Sequence, residues 1–160
     1  MASLQFRPAV LLQARERAKL TQLKLATLAA LATREGNHPS DSDPPAEQAR
    51  RIRTWESRIG AWERGIDQPS AQAVPILARL LGIEPLALFD VDPSSPPITA
   101  LRLAAGLTLQ ALADATGLSY TSLHRIVRGV TQLPDEVAGR LAKALGVPRD
   151  ELLAAIARDR

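Results

Sequence analysis

The chain is one unit written twice. LTQLKLATLAALA from Leu20 lies over LTLQALADATGLS from Leu107, an offset of 87. IGAWERG from Ile59 lies over LHRIVRG from Leu123, and LARLLGIEPLALF from Leu77 over LAKALGVPRDELL from Leu141, both at an offset of 64. The two copies must therefore solve the same packing problem, and the change of offset, 87 − 64 = 23, puts 23 extra residues inside the first. Between the copies runs the proline-rich stretch Asp90-Val91-Asp92-Pro93-Ser94-Ser95-Pro96-Pro97. This pattern predicts a first domain over 1–90 with a flexible insertion at about 33–53, a Pro/Ser linker at 91–97, and a second domain over 98–160.

Composition decides what such units are made of. Hydrophobic residues are 46% of the 160, but aromatics only 3%: Phe6, Trp55, Trp62, Phe89 and Tyr120. Strands draw on β-branched and aromatic residues, so small helices packed through Ala and Leu are expected, an all-α fold. In the second copy Pro97 suits a first turn, and Ile98 to Ala105 reads as a helix ended by Gly106. Thr108 is placed to cap a second helix carrying Leu109, Leu112 and Ala113 at i, i+3, i+4 spacing, with Gly117 to stop it. Ser119 is placed to cap a third, Tyr120 to Arg128, which buries Leu123, Ile126 and Val127 before Gly129. Pro134 opens a fourth to Leu145 with Gly146 behind it, and Arg149 to about Arg158 makes a fifth.

The middle of that unit is a helix, a three-residue turn containing glycine, and a helix. This is the helix-turn-helix pattern, in which one helix braces the next for a DNA major groove. Tyr120, Thr121, Ser122, His124, Arg125 and Arg128 take the outward positions of the third helix. The net charge of +3 conceals where the arginines lie. Arginine outnumbers lysine 17 to 3, a bias that either phosphate and guanine recognition or a GC-rich coding genome produces. Position says more: Arg50, Arg51, Arg53, Arg58 and Arg64 stand against Glu56 and Glu63 alone, and Arg125 and Arg128 lie in 119–129 with no acid.

Both copies resemble the Cro and lambda-repressor family, the xenobiotic-response-element type of helix-turn-helix domain. The first copy carries the resemblance in Leu20-Thr21-Gln22-Leu23-Lys24-Leu25-Ala26, Ile59, Trp62-Glu63-Arg64-Gly65, Pro69-Ser70 and Leu77-Ala78-Arg79-Leu80-Leu81-Gly82. The second carries it in Leu107-Thr108, Leu112-Ala113, Gly117-Leu118-Ser119, Leu123, Gly129 and Leu141-Ala142-Lys143-Ala144-Leu145-Gly146. The resemblance implies two five-helix lambda-repressor-like domains in tandem, the first with an insertion between helices 2 and 3. It also implies that Arg15 and Glu63 form the family's structural ion pair. Arg102 has Val127 where that glutamate would be, and is expected to be free for solvent or phosphate. Gln22 matches the family's phosphate-contacting glutamine. Leu109 replaces it in the second copy, leaving that contact to Gln110 or Thr108.

Carried over by position, the base-reading candidates are Tyr120, Thr121 and Arg125, with Ser119 and Arg128 placed for the backbone. Arg125 is foremost, because a guanidinium donates twice to guanine O6 and N7. In the first copy the matching positions are Glu56, Ser57 and Ala61, flanked by Arg58 and Arg64; Glu56 suits cytosine N4 and Ala61 a thymine methyl. The first copy reads as the poorer reader of bases and the better holder of phosphates. Alternatively Arg58 and Arg64 are solvated residues pairing with Glu56 or Glu63. His124 reads as a bystander, and Trp55 and Trp62 as core. The stretch from Arg34 to Ala46, polar and rich in Pro, Ser and Asp, reads as a flexible loop. Helical character returns at Glu47, and Thr54 is placed to cap the third helix. Arg50, Arg51 and Arg53 then belong either to a bland excursion or to an arm gripping phosphate.

With no cysteine and two isolated histidines, His38 and His124, neither a disulfide nor a conventional metal cage is expected, and no cofactor. No phosphate loop, GxSxG motif or carboxylate pair beside a nucleophile points to an enzyme. The longest largely apolar stretch, Leu25 to Ala32, is too short to span a membrane, and charges at Arg15-Glu16-Arg17 break any leader-like patch. A soluble, cytoplasmic protein of bacterial or phage origin is expected, lying on the nucleoid when bound. The expected activity is sequence-specific binding of double-stranded DNA at two unlike half-sites, most simply as a repressor. The rival reading is an antitoxin or adaptor that binds a protein partner, or a homodimer, through its last helix, ELLAAIARDR.

Overall fold

The computed structural model describes residues 4–34 and 44–158. In chain order its elements are α1 (Pro8–Arg17), α2 (Gln22–Arg34), α3 (Pro45–Glu63), α4 (Ala73–Leu81), a 3-10 turn (Pro85–Leu88), α5 (Ile98–Ala104), α6 (Leu109–Thr116), α7 (Tyr120–Val127), α8 (Asp135–Leu145) and α9 (Arg149–Arg158). Among the described residues no strand forms beyond a single antiparallel bridge between Phe6 and Phe89. It is fastened by Arg7 N–H to Leu88 O and Asp90 N–H to Gln5 O, each 2.8 Å.

The second half follows its local signals closely. Thr108 Oγ1 accepts from Ala111 N–H at 3.0 Å and Ser119 Oγ from Ser122 N–H at 3.1 Å, so each hydroxyl satisfies a backbone donor that its helix leaves unpaired. Gly117 ends α6 and Gly146 ends α8 in the left-handed conformation. The same bonds recur in the first half. Thr21 Oγ1 accepts from Lys24 N–H at 3.1 Å, matching Thr108; Ile66 N–H donates to Ala61 O and Val130 N–H to Arg125 O, at 3.0 and 2.9 Å. Lys19, with φ of 56°, holds the place corresponding to Gly106, with φ of 73°. The positions 87 or 64 apart also share burial: Leu25 and Leu112, Ile59 and Leu123, Leu77 and Leu141, and Leu88 and Leu152 are all fully enclosed. Each such leucine or isoleucine contributes about 2 kcal/mol by leaving water.

In three places the structure departs from the sequence-based expectations. The third helix of the first half does not begin at Thr54. Pro45 occupies the first turn, the run Ala46 to Arg51 consists of good helix formers, and nothing breaks the helix before Glu63. Thr54 sits in the interior, its hydroxyl donating back to Arg50 O at 3.0 Å. Most of the expected insertion is therefore helix: residues 33–34 close α2, residues 45–53 open α3, and only 35–43 lie outside the described residues, His38 among them. Second, the first half ends in a 3-10 turn where a fifth helix was expected.

Third, the segment expected only as a Pro/Ser linker carries its own hydrogen bonds and leads into a helix packed on both halves. Asp92 Oδ1 accepts from Ser94 Oγ at 2.6 Å and from Ser94 N–H at 2.9 Å, which together hold its carboxyl below its ordinary value, and Arg158 Nη1 reaches Pro96 O at 3.3 Å. Helix α5 then packs against both α4 and the 3-10 turn. Its Ile98 and Leu101 belong to the core shared with Leu112, Leu123, Leu141 and Leu152, whereas Leu103 lies against the core of Leu11, Leu25, Trp62 and Leu77.

Gly106 lies at this junction, where a Cβ would stand 2.8 Å from Pro75 Cγ, whereas a Cβ on Gly146 would meet nothing within 4 Å. Both glycines have positive φ, 73° and 70°. Urea unfolding of Gly146→Ala is expected to show a loss of about 1 kcal/mol, the backbone penalty alone, and Gly106→Ala a loss of at least about 2 kcal/mol. Equal losses would mean that the halves do not pack at Pro75.

Candidate nucleic-acid interface

Helix α7 is braced from one side. It packs chiefly on α6, its Leu123 and Ile126 buried and its hydrophobic side turned to Leu112 and Leu141. Ser119 fixes its start, Oγ lying 2.8 Å from Ser122 Oγ as well as accepting from Ser122 N–H. The remaining side chains point outward. Thr121, Arg125 and Arg128 are exposed along one stripe at i, i+4, i+7 spacing. Beside it Tyr120, 49% exposed, stacks on the half-buried ring of His124 with centroids 6.1 Å apart and planes 11° apart. The helix thus offers hydroxyls, a phenol and guanidinium donors on a rigid support. Arg140, exposed on α8, extends this surface: its Nη1 lies 3.2 Å from where a Cβ on Gly117 would be, over the turn between α6 and α7. Nothing in the sequence pattern singles it out; only the packing of α8 on α6 brings it there.

Other candidates have partners within the protein. Thr108 spends its acceptor on the cap of α6, and Gln110 Nε2 donates to Asp114 Oδ1 at 2.7 Å. Arg102 is not free for phosphate as expected: it is half-buried and its Nη1 donates to Leu107 O at 2.7 Å. Burial lowers its pKa from the ordinary value, with the nearby Tyr120 opposing. Its counterpart makes the same reach, Arg15 Nη1 to Leu20 O at 2.8 Å.

Arg15 does form the expected ion pair, Nε to Glu63 Oε1 at 2.5 Å and Nη2 to Oε2 at 3.1 Å. Gln22 joins it, Nε2 donating to Glu63 Oε2 at 2.6 Å. The hydrogen bond to Glu63 raises the Arg15 pKa, against the opposing pull of burial. These three side chains clamp α1, α2 and the C-terminal end of α3.

The remaining first-half candidates lie along α3. Arg50 pairs with Glu47 at 3.0 Å, and Arg51 approaches the same carboxylate at 3.8 Å. Arg53, Ser57, Arg58 and Arg64 are exposed, while Glu56 and Ala61 are half-buried in mid-helix rather than at a helix start. Among the described residues neither Arg58 nor Arg64 is ion-paired, so the pairing with Glu56 or Glu63 weighed from the sequence does not form. Trp62 is buried and meets the half-buried Trp55 edge to face at 5.9 Å, both in the core as expected.

Comparison with known families places a helix-turn-helix match on residues 98–152, from the first residue of α5 into α9. No curated protein and no solved structure matches the chain. Among the described residues no helix is long and apolar enough to cross a membrane.

The clamp sets a measurable energy. Glu63→Ala would leave the largely enclosed Arg15 without its counter-charge and Gln22 without its acceptor. A loss of about 3 kcal/mol in chemical unfolding is expected. A loss below about 1 kcal/mol would show that the pair is no more than a surface ion pair.

Proposed function

With residues 98–152 a helix-turn-helix domain of the Cro/C1 type, we propose that the chain is a sequence-specific regulator of transcription that binds double-stranded DNA, acting as a repressor by occupying a promoter. The observation that carries this reading is the outward stripe Thr121, Arg125 and Arg128 on α7, held by the Leu112, Leu123 and Leu141 core behind it. A helix so placed puts its N-terminal side chains on base edges in the major groove. Arg125 donates to guanine O6 and N7, Tyr120 and Thr121 contact neighbouring bases, and Ser119, Arg128 and Arg140 meet the backbone.

The two halves make unlike contacts, since the side chains at matching positions differ: Tyr120, Thr121 and Arg125 against Glu56, Ser57 and Ala61. The site is therefore asymmetric, one part read by α7 and the other held by the first half. The packing of α5 against α4 supports a fixed distance between the two parts. An antitoxin or adaptor role through α9 has less support: Leu153 is the one large apolar side chain exposed on that helix among the described residues.

The test is selection from random duplexes followed by titration of the preferred sequence. Arg125→Ala is expected to cost about 1–3 kcal/mol on that sequence and to relax the preference at one position. Arg58→Ala is expected to weaken all duplexes alike or leave them unchanged. A strictly palindromic selected site would contradict the asymmetric reading.

A further inference from the structure

Helix α3 is 19 residues long, about 28 Å, against 8 residues for α7. Glu56 stands in the place that Tyr120 holds at the start of α7, yet eleven helical residues, 45–55, precede it. They project about 16 Å beyond it. A major groove about 8.5 Å deep and 12 Å wide has no room for that projection when a helix enters N-terminus first. Helix α2 is lengthened alongside, 13 residues against 8 in α6, and its pairing with α3 is the most extensive helix contact among the described residues. Ala29 and Ala30 are buried on it, and Ile52 and Trp55 pack against the core from α3. The projection is therefore a built part of the fold.

Resting on the reading above, we infer that the first half meets duplex DNA side-on, through a stripe of Arg50, Arg53, Ser57 and Arg64 that holds the phosphate backbone along α3. Counting 100° per residue, these four fall within one narrow face of the helix, opposite Ile52, Trp55 and Ile59. All four are exposed. They extend over about 21 Å, a distance along the duplex axis in which one DNA strand presents roughly six phosphates, of which a straight helix faces only those on its own side.

The acids nearby do not cancel the stripe. Glu47 offsets Arg50, but Glu63 is held by Arg15 and Gln22, and Glu56 is half-buried on the side of Ile52. Arg53 and Arg64 have no acid partner among the described residues. Gly60 adds to this. A glycine inside a helix costs about 1 kcal/mol relative to alanine, and here its bare face receives Arg64, whose Nη1 lies 3.1 Å from where a Cβ would be. The guanidinium is thereby laid back over Gly60 rather than trailing from the end of the helix.

The experiment is a salt titration of the full chain on a duplex it prefers, comparing wild type with Arg53→Ala/Arg64→Ala and with Arg125→Ala. The double variant is expected to lower the slope of log affinity against log salt by about 1.8, two contacts at about 0.9 each, with the ranking of sequences unchanged. Arg125→Ala is expected to disturb the ranking. Both arginines are exposed, so the circular dichroism of the double variant should match wild type. An unchanged slope in the double variant, with wild type still ranking sequences, overturns the side-on contact and leaves reading by α7 standing. A double variant that loses the ranking also overturns it, because α3 would then be reading bases. Failure of wild type to bind any duplex overturns the α7 reading itself.

Discussion

Helix α5 serves two cores at once. Ile98 and Leu101 are buried with α6, α8 and α9, Leu103 lies against the core of the first half, and Gly106 closes on Pro75. At seven residues it is too short to persist on its own in water, so its helicity depends on those two sets of contacts. Because one short helix supplies residues to both cores, the halves are joined by packing and not merely tethered. What α3 and α7 present to a partner is then set by that junction.

The halves share a scaffold and differ where they meet solvent. Arg15 and Arg102 each reach the carbonyl five residues on, at 2.8 and 2.7 Å, yet only Arg15 meets a carboxylate. Glu63 ties α3 to α1 and α2, which helps hold a helix that extends far beyond the core. Val127 leaves α7 without such a clamp, and the shorter helix relies on Leu123 and Ile126 and on the serine cap. The difference in length changes what each half presents: α7 is a short braced helix of 8 residues, and α3 runs for 19.

Local chemistry was the legible part of the sequence. Thr108, Ser119, Gly117 and Gly146 act within a turn of themselves, so their caps and stops could be placed from the sequence, and the Arg15–Glu63 pair followed from a resemblance. Thr54 was misread because threonine caps a helix only where the residues before it are not helical, and Ala46 to Arg51 are strong helix formers. Arg102 was misread because the missing glutamate reveals one absent partner and says nothing of the Leu107 carbonyl, which holds the guanidinium as Leu20 O holds Arg15. The meeting of Gly106 with Pro75 and of Arg140 with the turn at Gly117 depends on helices distant in sequence, and neither spacing nor composition carries that information.

The central claim is that one helix reads bases while the other half holds backbone, and chemical interference on the selected duplex tests it most directly. Methylation of guanine N7 and ethylation of phosphates would be mapped for the same bound complex. The account predicts that N7 methylation blocks binding within a single short segment, flanked on one side by phosphates whose ethylation blocks binding where no base modification does. Two separated segments blocked equally by N7 methylation, or no N7 effect at all, would contradict it.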